Sequence, residues 1–68
     1  MEKILEKMVI DNGGCYNLIQ DYGITKYLTI ENGCLVVRDV EIDGESTMCE
    51  YSSLSADDKL EIFNMIGL

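Results

Sequence analysis

The sequence predicts an α+β fold, a four- or five-stranded antiparallel β-meander with one C-terminal helix packed on one face. Three observations carry that prediction. Turn signals recur at near-regular intervals, at Asn12-Gly13-Gly14, Asp21-Tyr22-Gly23, Asn32-Gly33 and Asp43-Gly44. Between them the residues alternate apolar and polar, as a pleated strand requires. After the last turn region the period changes to that of a helix, with its own start and stop signals.

Asn-Gly and Asp-Gly suit the tight turn between antiparallel strands, because both central residues there need positive φ. The intervals leave room for strands of roughly seven to nine residues. The meander is expected over about residues 4–52. With Asn32-Gly33 as a two-residue loop, Ile30 faces Leu35, Leu28 faces Val37 and Lys26 faces Asp39. Ile24, Leu28, Ile30, Leu35 and Val37 then share one apolar face. A two-residue loop at Asp43-Gly44 would set Ile42 against Glu45, Val40 against Thr47 and Val36 against Tyr51. That register gathers Val36, Val40, Ile42, Cys49 and Tyr51, and leaves Asp39 and Glu41 on the other face, across from Ser46 and Met48. Both faces therefore carry apolar residues, with one helix to cover them.

The helix is predicted over residues 55–66. Ser55 is an N-cap, Asp57 and Asp58 complement the helix dipole in the first turn, and Gly67 supplies the stop. Leu60, Phe63 and Ile66, widened by Ile62 and Met65, form its core stripe. The first segment supports two readings. Ile4, Leu5, Met8 and Val9 fit a helix period, whereas the turn at residues 12–14 asks for a strand before it. A strand over about residues 4–11 is the reading preferred.

Sixty-eight residues make a single domain, and a chain of that size buries only about 60% of its unfolded surface. Association would help such a thin core. The apolar face left over predicts a homodimer or partner interface, with Tyr27, Val36, Val40 and Tyr51 as its test residues. No apolar run is long enough for a signal segment or a membrane span, so a cytoplasmic protein is expected.

Charge is the feature that points outward. Net charge is −8, and it is unevenly spread. Residues 1–38 carry five acids against four bases, whereas residues 39–68 carry eight acids against Lys59 alone. Direct binding to nucleic acid or an anionic membrane is disfavoured, because phosphate contacts need cations. Asp39, Glu41, Asp43, Glu45 and Glu50, with Asp57 and Asp58 of the helix, are the candidate partner-binding residues. Carboxylates two apart on a strand lie about 6.6 Å from one another. That is inside the Debye length of about 8 Å at physiological salt, so they reinforce one field and repel one another until a cationic partner relieves them.

Catalysis has little to work with. The chain has no histidine, the usual general acid or base, and no nucleophile with an evident activating base. Cys15, Cys34 and Cys49 form an odd set without a C-x-x-C pair. They read as reduced thiols filling strand positions, with an intermolecular disulfide as the alternative. No enzyme activity, cofactor or metal site is expected. Asp39-x-Glu41-x-Asp43-Gly44, followed after five residues by Glu50, nearly matches the EF-hand calcium loop. It departs at Glu41 and at Ser46, where that loop has Asp or Asn and a hydrophobic residue, and strand-like Leu35-Val36-Val37 precedes it where a helix is needed. An acidic hairpin is the preferred reading, and calcium binding is kept as an alternative.

In size, acidity and small sheet-plus-helix architecture the whole chain resembles phage-encoded anti-defence proteins of the anti-CRISPR and anti-restriction type. The resemblance is one of profile, so no residue role is carried over. It implies a stoichiometric inhibitor that occupies the basic, nucleic-acid-binding surface of a partner protein, such as a nuclease. The reading from a different class is a small structural or regulatory subunit that assembles through its apolar sheet face.

Overall fold

A computed structural model describes residues 2–21 and 23–67. Among them the order is α1 (Glu2–Asp11), β1 (Cys15–Asp21), β2 (Ile24–Glu31), β3 (Cys34–Val40), β4 (Ser46–Glu50), a single 3-10 turn (Tyr51–Ser53) and α2 (Ala56–Ile66). The strands form one antiparallel sheet in the order β1-β2-β3-β4, the predicted meander. Its first element, however, is a helix and not a strand.

Helix α1 wins because its apolar residues fit a helix and its end is capped. Leu5 and Val9, one turn apart, are fully buried, while Ile4 and Ile10 stay largely exposed. Lys7 Nζ donates to the Asp11 carboxylate at 3.0 Å across one turn, worth a few tenths of a kcal/mol. The glycines after it then close a Schellman motif. Gly14 N–H donates to Val9 O at 2.9 Å and Gly13 N–H to Ile10 O at 3.1 Å, with φ of 85° at Gly13. Asn-Gly-Gly thus serves as a helix stop rather than a hairpin turn.

The central hairpin has the predicted register. Ile30 pairs with Leu35, Leu28 with Val37 and Lys26 with Asp39. Asn32 and Gly33 both take positive φ, 53° and 76°, as a two-residue turn needs. The last hairpin differs by one residue. Glu41 N–H donates to Glu45 O at 2.8 Å, and Gly44 N–H to Glu41 O at 2.9 Å. This is a three-residue loop, a turn at Ile42-Asp43 followed by Gly44 at φ 88°, where a left-handed glycine bulge takes the extra residue. Val40 consequently pairs with Ser46 and Val36 with Glu50, in place of Thr47 and Tyr51. A one-residue slip turns every side chain of a strand to the opposite face.

Both helices and the 3-10 turn lie on one side. Leu5 and Val9 of α1, Leu28, Leu35 and Val37 of the sheet, Tyr51 and Ile62 make one buried cluster, with Met8, Tyr16, Leu18, Ile30, Leu54 and Ile66 around it. Tyr51 therefore belongs to the core and not to the outer apolar face. Helix α2 has the expected caps. Ser55 Oγ accepts from Asp58 N–H at 3.2 Å, and Gly67 closes the helix at φ 82°. Its inward side carries buried Ile62 with half-buried Lys59, Phe63, Met65 and Ile66, and Leu60, expected in the core, is 57% exposed. No helix among the described residues is long and apolar enough to cross a membrane.

Candidate functional site: an acidic end of the sheet

The open face of the sheet carries Tyr27, Thr29 and Glu31 of β2 opposite Arg38, Val36 and Cys34 of β3, with Met48 and Glu50 of β4 beside them. Val36 is 2% exposed although it lies outside the main core cluster. The register explains its burial. Glu31 sits opposite Cys34 and Arg38 opposite Tyr27, so the two side chains reach toward each other over Thr29 and Val36. They meet in a fork, Arg38 Nε on Glu31 Oε2 and Nη2 on Oε1. Such bidentate pairing is the strongest geometry open to this pair. Of the predicted apolar face, Tyr51 is in the core, Val36 is already covered, and Tyr27 and Val40 are half-buried.

The fork makes a prediction about acid stability. Hydrogen bonding to Arg38, and secondarily its charge, holds the Glu31 carboxyl below its ordinary value of 4.5 against the opposing effect of desolvation. A carboxyl lowered in the folded state contributes stability that is fully present above its unfolded value and fades as pH falls through its folded value. Arg38→Gln should lower the urea midpoint at pH 7. The gap between wild type and variant should narrow as pH drops below about 4.5. A gap independent of pH would show that the fork contributes only packing over Val36.

The predicted partner-binding carboxylates fall into two groups. Asp39, next to last in β3, is on the helix side, opposite Lys26 and Thr47, and Glu41 and Glu45 flank the adjoining loop that holds Asp43. Asp43 Oδ1 accepts the N–H of Glu45 at 3.0 Å, which fixes the loop from within and leaves Glu41 and Glu45 exposed. Glu50 lies opposite Val36 on the outer face, about 13 Å along β4 from Ser46. Asp57 and Asp58 stand in the first turn of α2, beyond the 3-10 turn. The single strip expected from the sequence is thus a hairpin group and a second group near the opposite end of the strand.

One acid that the sequence reading left out joins the hairpin group. In a meander alternate turns share an end, so Asp21, at the β1–β2 turn, lies at the end where the β3–β4 loop stands. The two loops touch there. A Cβ on Gly23, at φ 81°, would come within 2.8 Å of Ile42 Cγ1, so glycine is needed for the contact as well as for the turn. Alternation of turns along the chain was the signal that could have found Asp21.

The ion pairs among the described residues are Lys7–Asp11 and Arg38–Glu31. Glu41, Asp43, Glu45, Glu50, Asp57 and Asp58 are in neither, and Lys26 and Asp39 stand opposite without joining. Among the described residues no three acidic or thiol side chains converge as a metal site, and strands flank the loop that matches the calcium motif, where an EF-hand has helices. The three thiols are free and exposed. An open groove of about 400 Å³ runs between Tyr51, Ala56, Lys59, Leu60 and Phe63, with Lys59 Nζ 5.5 Å from the Tyr51 ring centre.

Fold and site together define a class, a small α+β domain with an acidic hairpin end. Comparison with protein-family models, curated proteins and solved structures found no match.

Proposed function

We propose that this protein is a non-enzymatic, acidic interaction module that binds a basic surface of a partner protein and blocks nucleic acid from it, in the manner of an anti-CRISPR-type inhibitor. One observation supports this most. Glu41, Asp43 and Glu45 of the β3–β4 hairpin are exposed and lack an ion-pair partner among the described residues. A loop that is held in shape by its own backbone keeps them together at a cost in repulsion. Lysines or arginines of a partner would remove that cost, and the release would add to the binding.

The test is capture of a partner by the tagged protein from its native cells, followed by competition. Binding is expected to weaken steeply with salt, and added duplex DNA should displace the protein. The double change Glu41→Lys with Glu45→Lys should weaken binding by about tenfold or more. The same charge change at Glu6 and Asp11 of α1 should do much less. Binding that ignores salt, or that responds equally to both pairs of substitutions, rules out the hairpin as the contact. A partner that keeps its hold while saturated with DNA rules out occupation of a nucleic-acid surface.

A further inference from the structure

The two edges of the sheet are built differently. β1 has an irregularity between Asn17 and Ile19 and α2 packs against it, and both features hinder the addition of another strand. β4 has an unbroken register with β3. Its sequence, Ser46-Thr47-Met48-Cys49-Glu50, offers neither lysine nor proline as a guard, and all five residues are exposed. Its hydrogen-bonding phase follows from the Glu41 N–H to Glu45 O bond. Alternation in an antiparallel pair turns Thr47 and Cys49 toward β3 and directs the N–H groups of Ser46, Met48 and Glu50 outward. The other hairpin gives the same phase. Glu31 and Cys34 flank a two-residue loop, so Val36, Arg38 and Val40 bond to β2 and their partners on β4 face away from the ladder.

Resting on the functional reading above, we infer that the β4 edge receives one extended, basic segment of the partner protein as a fifth strand. Charge selects the occupant. Residues 41–50 hold Glu41, Asp43, Glu45 and Glu50 and no basic residue, so carboxylates stand at both ends of the free edge. An incoming strand gains main-chain hydrogen bonds from the edge and charge complementarity from its flanks. A second copy of this chain is the poorer fit. Antiparallel pairing centred on Met48 would set Glu50 of one copy opposite Ser46 of the other and beside its Glu45, at both ends of the new ladder, and like charges within a Debye length oppose association.

The experiment uses the whole chain and two synthetic probes. One is an eight-residue peptide alternating Lys and Thr. The other has the same side chains and charge, with alternate amides N-methylated along the pairing side. The first should bind at low salt and slow hydrogen exchange at Ser46, Met48 and Glu50 about tenfold or more. N-methylation should weaken binding about tenfold or more, because it removes the inter-strand bonds and keeps the charge. Met48→Pro, which loses only an outward N–H, should abolish the difference between the peptides while leaving the circular dichroism of the fold. Equal binding of both peptides without protection at those amides overturns strand addition and leaves the acidic-module reading standing. Failure of both peptides to bind at low salt overturns the acidic module itself. Protection of the same amides without peptide, rising with protein concentration, overturns the basic occupant in favour of a second copy.

Discussion

Leu5→Ala is expected to destabilise the protein by about 2–5 kcal/mol, the usual cost of truncating a fully buried leucine. A domain of this length has about 3–10 kcal/mol of stability in total, at roughly 0.05–0.15 kcal/mol per residue, so the variant should lose a large share of it. Ile4→Ala, one residue earlier, should cost well under about 1 kcal/mol, because Ile4 is 53% exposed and Leu5 is fully buried. The contrast tests the helix. On a strand, Leu5 and Val9 would share a face with Lys7, and Ile4 would line up with Met8 and Ile10. On α1, Leu5 and Val9 stack one turn apart over the sheet. Urea unfolding followed by circular dichroism reads both variants. Equal losses would mean that α1 does not dock through Leu5 and Val9.

How far the fold could be read from residues depended on how many conformations each turn signal admits. Asn32-Gly33 admits few, since both residues must take positive φ, and the register it implied is the register found. Asp43-Gly44 admits two. It fits a two-residue loop with both residues left-handed, and equally a three-residue loop in which Gly44 alone is left-handed. The second occurs, and the slip of one position moves Met48 and Glu50 to the open face. Tyr51 leaves the ladder for the 3-10 turn and the core. Asn12-Gly13-Gly14 is ambiguous for the same reason, because a left-handed glycine serves a helix C-terminus as well as a hairpin. The acidic site was legible as composition, while its geometry was not. Glu50 parts from the hairpin acids, and Asp21 joins them, only once loop lengths and shared sheet ends are known. The guard over Val36 was also hidden, since Glu31 and Arg38 lie on different strands and meet only through the register of β2 and β3.

Tyr51 provides the sharpest consequence of that slip. Had it faced outward beside Val36, Tyr51→Ala would disturb self-association and leave folding intact. In the structure it is 4% exposed, packed in the cluster with Leu28, Val37 and Ile62, with the Lys59 ammonium over its ring. Tyr51→Ala should therefore cost about 3–5 kcal/mol, as loss of a buried aromatic ring does. Tyr51→Phe keeps the ring and the cation–π contact and should stay close to wild type at pH 7. The two also differ in alkali. Burial, and secondarily the charge of Glu2, raises the Tyr51 phenol above its ordinary value of 10.0. A raised value means that the folded state holds the proton more tightly. Its contribution is complete below about pH 10 and is lost as pH rises through the folded value. Wild type should thus weaken above pH 10 by a step that Tyr51→Phe lacks. Urea midpoints at pH 7 and in the alkaline range measure both effects. A Tyr51→Ala variant with the wild-type midpoint would remove Tyr51 from the core and return it to the open face, together with the register that placed it there.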